Sequence, residues 1–197
     1  MEDKKVSVYG TALKIISKIE NLIGTSEGKA ILADIRRSVR KSTGESMEVW
    51  KILFENMPEE FLGRSENLTN EEKSILAIIQ LFAIQQQGKK ESCNSTEVKD
   101  MGSSLACLRS SDNSVSVDRR FNIMITSENF EKLIYHLRQM IKLLSSREKD
   151  AKVNYPKLAN DLYRFSGGDR NQVRVKWARS YYKYRKVETE EEENEKR

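Results

Sequence analysis

Apolar side chains recur three and four residues apart in several separate stretches of the chain, which is the spacing of an amphipathic helix. The stretch over 126–146 shows it most clearly. Its apolar residues fall on one helical face: Phe130, Leu133, Ile134, Leu137, Ile141 and Leu144. No long run alternates β-branched and polar residues as a strand would, and the chain contains only 2 prolines. The pattern therefore predicts an all-α protein with about eight or nine helices.

Capping residues, glycines and prolines mark where these helices begin and end. Thr69 and Glu72 fit a capping box ahead of a strongly apolar run, and Pro58 ends the helix before it. Gly24 suits the left-handed conformation that often follows a helix. The predicted helices cover approximately residues 7–23, 26–41, 46–57, the run that starts at 70, 101–109, 115–125, 126–146, 155–165 and 170–186.

Residues 85–100 lose the helical pattern and are rich in polar side chains, which is typical of a linker or a long surface loop. We therefore expect a two-lobed protein. The predicted parts are an N-terminal helical domain at 1–88, a linker or loop at 89–100, a C-terminal helical domain at 101–187 and an acidic, disordered tail at 188–197.

The formal charge of +5 is unevenly distributed along the 197 residues. Residues 109–186 contain 18 Lys and Arg against 8 Asp and Glu, whereas residues 187–197 contain 2 against 6. Such a basic segment attracts a polyanion, most simply nucleic acid, although an acidic protein surface or anionic lipid would satisfy the same field. The acidic tail either shields these charges or only improves solubility.

Several classes of protein are disfavoured. His136 is the single histidine, so a catalytic triad would depend on it alone and a two-histidine metal site cannot form within one chain. Phosphate-binding glycine loops are missing, and Cys93 and Cys107 are too few for a disulfide framework or a zinc site. No signal segment and no membrane span are recognisable. We expect a cytoplasmic, non-enzymatic protein without cofactor, metal, small-molecule substrate or membrane partner.

Basic residues form rows on the predicted helices, opposite the apolar faces. On the last helix, Val173, Trp177, Tyr181 and Tyr184 are predicted to face the core. Its basic row consists of Lys176, Arg179, Lys183 and Lys186. Other rows contain Arg138 and Lys142 on the long helix, and Lys29, Arg36, Arg37, Arg40 and Lys41 on the second helix. Each row alone is more often an ordinary solvated face, but these rows have few acidic partners.

Arg119, Arg120 and Arg170 lie at predicted helix entrances, where a guanidinium and the helix dipole together suit a phosphate. The simpler interpretations are that Asp118 pairs with one of the adjacent arginines and that Asp169 caps its helix. Exposed aromatic residues such as Tyr135 or Tyr182 could stack on unpaired bases.

An ordered series of motifs in the second half resembles one known family. The series comprises Val117-Asp118-Arg119-Arg120-Phe121, His136-Leu137-Arg138, Tyr155-Pro156, Asp161-Leu162-Tyr163-Arg164-Phe165, and Trp177-Ala178 ahead of Tyr181-Tyr182. It resembles the CasB family, the small subunits of the type I-E CRISPR surveillance complex Cascade. The similarity covers roughly residues 100–184, and in the first half it depends on Ile35-Arg36-Arg37 and the helical pattern.

The resemblance implies an all-helical, two-lobed, non-catalytic subunit, present in two copies beside other Cascade subunits and the guide RNA. Its implied function is to bind the displaced single strand of the R-loop with little sequence preference. The positions that match the family are Arg36, Arg37, Arg119, Arg120, Arg138 and Arg170. Helical periodicity alone adds Arg40, Lys142, Lys176 and Arg179. The alternative is a helical scaffold whose basic faces dock acidic protein surfaces, and an enzyme is a distant third.

Overall fold

The structure, a computed structural model, describes residues 6–39, 47–109 and 114–195, with side chains up to residue 183 in the last range. Within these residues there are nine α-helices and no strand, which confirms the predicted all-α fold. The helices are α1 (Val8–Glu20), α2 (Ser26–Ser38), α3 (Met47–Phe54), α4 (Asn70–Gln85), α5 (Met101–Ala106), α6 (Ser114–Ile125), α7 (Phe130–Arg147), α8 (Tyr155–Ser166) and α9 (Arg170–Glu195). A short 3-10 helix, Glu59–Phe61, lies between α3 and α4. No helix in the described ranges is both long and apolar enough to cross a membrane.

The described residues fall into two compact units. Unit 1 comprises those within residues 1–94 together with Tyr155–Tyr163, and unit 2 those within 95–154 and 164–197. Unit 1 thus contains α1 to α4 and most of α8, while unit 2 contains α5, α6, α7 and α9. The units are not continuous in sequence, because α8 returns to unit 1 after three helices of unit 2.

The core of unit 1 is built around α4, which contacts α1, α2 and α3. Ile75, Ile78 and Phe82 are fully buried, because neighbouring helices cover α4 on several sides. The predicted capping box is confirmed: Thr69 Oγ1 accepts from the Glu72 amide at 3.1 Å, and the Glu72 carboxylate accepts from the Thr69 amide at 2.6 Å.

The first residue of α8 ties that helix to α4. Tyr155 is fully buried, and its hydroxyl donates to Gln85 Oε1 at 2.6 Å. Its ring meets Phe82 edge-on, with the ring centroids 5.4 Å apart. Burial raises the pKa of Tyr155 well above its ordinary value, and the Cys93 thiol adds to this shift. These contacts explain why residues 155–163 belong to unit 1.

The segment that follows α4 is irregular, as predicted, but part of it is buried. The Gln86 side chain stabilises this segment through two hydrogen bonds. Its Nε2 donates to the Glu91 carbonyl and its Oε1 accepts from the Cys93 amide, each at 2.8 Å. Cys93 is only 1% exposed. Whether residues 89–100 act as a linker stays a prediction.

In unit 2, α9 packs against α5 and α6, and α6 also packs against α7. Gly102 of α5 lies so close to the backbone of Trp177 that a Cβ would be 2.8 Å from the Trp177 carbonyl carbon. Phe121 and Tyr181 stack with their ring centroids 3.7 Å apart. Val173, Trp177 and Tyr181 are at most 1% exposed, which confirms the predicted core face of α9 as far as side chains are described. The side chain of Tyr184 lies outside that range.

Two details of the sequence prediction need correction. The spacing of Trp50, Leu53 and Phe54 predicts that all three are buried on the third helix. Phe54 is instead 39% exposed, and it stacks on Trp50 at the surface of α3. The helix α9 extends to Glu195, well beyond residue 186, so residues 188–195 are helical where the sequence predicts a disordered tail. Arg, Lys and Glu are good helix formers, and no Gly or Pro interrupts this stretch.

Two further helices are followed by a glycine in the left-handed conformation. The turn after α1 places Gly24 at φ +92°, as its predicted role requires, and α8 ends at Ser166 ahead of Gly168 at φ +107°. The predicted C-terminal end of the second helix, at residue 41, lies outside the described residues.

Candidate nucleic-acid interface

The two described basic candidates of unit 1 are occupied within the fold. Arg36 is half-buried on α2, and its Nη1 donates to the Ala83 carbonyl at 3.2 Å. Burial, and secondly the positive charge of Arg37, lower the pKa of Arg36. Arg37 is exposed and forms an ion pair with Asp34. Arg40, the third candidate on this row, lies outside the described residues.

The arginine pair on α6 faces solvent. Arg119 and Arg120 are exposed, and neither makes a hydrogen bond or an ion pair within the described residues. Arg119 lines a shallow groove on the surface of α6. The other residues that line it are Val115, Asp118, Asn122, Ile123 and Thr126.

Asp118, between the groove and the core, pairs with a different arginine from those next to it in sequence. Its carboxylate accepts two hydrogen bonds from Arg109, from Nε at 2.7 Å and from Nη2 at 3.0 Å, and a third from the Tyr181 hydroxyl at 2.8 Å. The Arg109 guanidinium also lies 5.0 Å from the ring centroids of Tyr181 and Tyr182. This corrects the simple interpretation in which Asp118 neutralises Arg119 or Arg120.

The candidates on α7 have no counter-charge within the described residues. Arg138 is half-buried, and its Nε is buried without a hydrogen-bond partner among the described residues. Burial lowers the pKa of the Arg138 guanidinium. Lys142, one turn further along, is exposed and likewise has no partner in the described ranges. By contrast, Lys132 near the start of α7 forms an ion pair with Glu128 at 2.8 Å.

The first turns of α9 hold the loop between α6 and α7. Arg170 Nη1 donates to the Glu128 carbonyl and Arg174 Nη2 donates to the Ser127 carbonyl, both at 2.7 Å. Both guanidiniums also lie near the ring of Phe165, at 5.7 and 5.9 Å from its centroid. Arg170, a candidate from the sequence, is therefore already engaged with the protein, although it remains exposed.

Further along α9 the basic row is mixed. Lys176 is half-buried and engaged within the fold, whereas Arg179 and Lys183 are exposed and have no partner among the described residues. The side chain of Lys186 lies outside the described range. Asp169, ahead of the helix, forms an ion pair with Arg164 at 3.2 Å and not with Arg170.

The structure reveals two arginines beside the candidate site that the sequence pattern did not indicate, Arg109 and Arg174. Both anchor the helices that carry the free cations. Arg109 ends a predicted helix and Arg174 lies within one, so neither differs in sequence from a solvated surface arginine. Their contacts join separate segments, because Arg109 donates to Asp118, nine positions away, and Arg174 donates to the Ser127 carbonyl, 47 positions away.

Within the described residues, unit 2 thus displays cations without a partner on three helices, while Asp118 and Glu128 are paired with Arg109 and Lys132. Such an arrangement binds a flexible polyanion by charge, with no need for a shaped pocket. No group of three or more His, Cys, Asp and Glu residues in the described part of the chain could hold a metal ion. His136 is half-buried and meets the Tyr135 ring edge-on.

Comparisons with known proteins show the family and the fold of this chain. The family model described as CRISPR-associated protein Cse2 matches residues 31–182. No curated protein sequence matches the chain. The fold is similar to CasB from Thermobifida fusca, with 21% identity and a TM-score of 0.71 over 88% of this chain and 97% of that one. It is also similar to M. ruber CasB, with 24% identity and a TM-score of 0.64 over 95% and 98% of the two chains. A chain of a CRISPR RNA-guided surveillance complex matches with 18% identity and a TM-score of 0.72 over 94% and 99%.

Proposed function

This chain belongs to the CRISPR-associated protein Cse2 family, as the sequence motifs indicated, and we propose that it is a non-catalytic small subunit of an RNA-guided surveillance complex. In that role it binds the displaced single strand of the R-loop with little sequence preference. Its partners are the other Cascade subunits, the guide RNA complex and a second copy of itself, in the cytoplasm. R-loop formation replaces a DNA duplex by an RNA–DNA duplex of nearly equal stability. A modest number of protein contacts to the released strand can therefore favour the open state.

The observation that carries this proposal is a set of cations on α6, α7 and α9 of unit 2 that have no partner among the described residues. The members that the sequence predicts as site residues are Arg119, Arg120, Arg138, Lys142 and Arg179, and Lys183 belongs to the same row as Arg179. They lie on helices, so their spacing is fixed before binding, and phosphate contacts of this kind do not depend on base sequence. Asp118, which is adjacent to the α6 pair in sequence, is held by Arg109 and does not compete.

The test is the salt dependence of binding between the full chain and single-stranded DNA, followed by fluorescence anisotropy. About four phosphate contacts predict a slope of log K against log salt near −3, because each contact with a single strand contributes about −0.7. The substitution Lys142→Gln is expected to reduce the magnitude of the slope by about 0.7. A slope near zero for the parent chain would overturn the proposal.

The matched control is Lys132→Gln on the same helix. It removes the same charge from an exposed lysine of α7, but that lysine is paired with Glu128 at 2.8 Å. Because an ion-paired lysine has already lost part of its attraction for phosphate, we expect Lys132→Gln to change the slope less than Lys142→Gln does. Equal effects of the two substitutions would show that net charge, and not the unpaired cations, controls binding.

A second candidate function is a scaffold that docks an acidic protein surface. The observation that favours it is the exposed apolar character of the α6 groove, where Val115 is 83% and Ile123 is 45% exposed beside Arg119. Competition separates the two functions. Unrelated single-stranded DNA displaces a bound strand if the chain binds nucleic acid by charge. It displaces a docked acidic protein less, because the exposed apolar side chains of Val115 and Ile123 hold that partner in addition to the basic charges.

A further inference from the structure

Tyr135 presents an aromatic ring on the surface of α7 that the fold does not use. It is 56% exposed, and its hydroxyl makes no hydrogen bond within the described residues. Its ring contact is with the adjacent His136, edge-on, with the centroids 5.1 Å apart. An aromatic side chain of this kind contributes little to the core.

The other exposed tyrosine of unit 2 differs in this respect. The Tyr182 hydroxyl donates to Asn122 Oδ1 at 2.9 Å, and its ring meets those of Phe121 and Tyr181 edge-on. The Arg109 guanidinium lies 5.0 Å from its ring centroid. Tyr182 is therefore part of the α6–α9 packing, whereas Tyr135 has a ring face available to a ligand.

Two cations follow Tyr135 on the same side of α7. With a helical rise of about 1.5 Å per residue, Arg138 lies roughly 4.5 Å and Lys142 roughly 10.5 Å along the axis from Tyr135. Residues 132–147 contain no Asp or Glu, and the one carboxylate of α7, Glu131, lies one turn before Tyr135 and roughly 10.5 Å along the axis from Arg138. Burial has removed water from part of the Arg138 guanidinium, and its Nε has no hydrogen-bond partner among the described residues. An anion next to Arg138 would supply the missing hydrogen bond and counter-charge.

We propose that Tyr135, Arg138 and Lys142 form a nucleotide subsite on α7, in which an unpaired base stacks on the Tyr135 ring while the flanking phosphates contact Arg138 and Lys142. The subsite rests on the proposed binding of a single strand and adds to it a contribution from the base itself. Stacking tolerates any base, because every base has a π face. The subsite therefore selects unpaired over paired nucleotides without reading sequence.

The experiment compares two single-stranded oligonucleotides of equal length, one of thymidines and one of abasic nucleotides, by anisotropy with the full chain. We expect the thymidine strand to bind roughly 5-fold tighter or more, which is the usual effect of one stacked base. Tyr135→Phe keeps this preference because it keeps the ring, and Tyr135→Leu removes it. Lys142→Gln weakens both strands alike and leaves the preference intact.

Thermal unfolding of Tyr135→Leu controls for the fold, and we expect its midpoint to match that of the parent because the side chain is mostly exposed. Equal affinity of the parent chain for the two strands would overturn the subsite while leaving binding by phosphates in place. A preference that persists in Tyr135→Leu would place the stacking elsewhere and also overturn it. If the parent chain binds neither strand at low salt, the proposed function itself fails, and the subsite fails with it.

Discussion

The Arg109–Asp118 ion pair makes a sharp prediction about stability. Its side chains are only 6% and 24% exposed, and the Tyr181 hydroxyl shares the same carboxylate. Asp118→Ala leaves the buried guanidinium without a counter-charge and the Tyr181 hydroxyl without this acceptor. Removing one partner of a buried pair costs about 3–5 kcal/mol, which for a chain of this length lowers the unfolding midpoint by roughly 6–20 °C.

An exposed pair of the same type provides the control. Arg37 and Asp34 are 68% and 36% exposed, so Asp34→Ala is expected to change the free energy of unfolding by less than about 1 kcal/mol. Urea unfolding followed by circular dichroism measures both variants against the parent. A loss for Asp118→Ala no larger than that for Asp34→Ala would refute the reasoning.

The same pair also tests whether the penalty comes from the unpaired charge. In the double variant Arg109→Met with Asp118→Leu, neither charge remains buried. Replacing both ions of a buried pair by apolar residues is often nearly neutral, so this variant is expected to be more stable than Asp118→Ala. If it is less stable, the attraction between the two ions, and not the isolated charge, dominates.

Two further substitutions test the cores of the two units. Gly102→Ala places a Cβ against the backbone of Trp177, which cannot move without separating α5 from α9. Thermal unfolding should show that the free energy of unfolding falls by about 1–3 kcal/mol, and an unchanged free energy would contradict the close approach. Tyr155→Phe tests the raised pKa of a buried phenol. The stabilising contribution of neutral Tyr155 is fully present below about pH 10, the pKa of the tyrosine in the unfolded chain. It is lost as the pH rises towards the higher pKa of Tyr155 in the folded chain, because the unfolded chain then releases a proton that the folded chain retains. The parent chain should therefore lose more stability than Tyr155→Phe between about pH 9 and about pH 11, and equal losses in urea unfolding would contradict this.

The candidate site shows how far sequence reasoning extends. Arg119 and Arg120, which the sequence singles out at a predicted helix entrance, are exposed. The rows of basic residues on α7 and α9 follow from helical periodicity, and Lys142 and Arg179 are exposed as that periodicity predicts. Their partners do not follow from it. Asp118 is adjacent to Arg119 in sequence, yet it pairs with Arg109, because neighbouring residues on a helix point in different directions.

Exposure likewise distinguishes residues that look equivalent in sequence. Tyr135 and Tyr182 both lie among basic residues, but Tyr182 is held in an aromatic cluster and Tyr135 is not. Arg36 and Arg170 resemble the free arginines, but they donate to the carbonyls of Ala83 and Glu128. These distinctions depend on which backbone passes beside each side chain, and local sequence carries no information about that.

The sequence by itself determined that this protein is helical, where most helices begin, which faces of α7 and α9 are buried, and where the positive charge is concentrated. These properties depend on spacing and composition within one segment, so they can be deduced one helix at a time. The tertiary structure alone decided that α8 packs with α4, that Asp118 pairs with Arg109, and which cations have no partner among the described residues. Each of these facts joins residues from distant segments, and only packing around a common core brings such residues together.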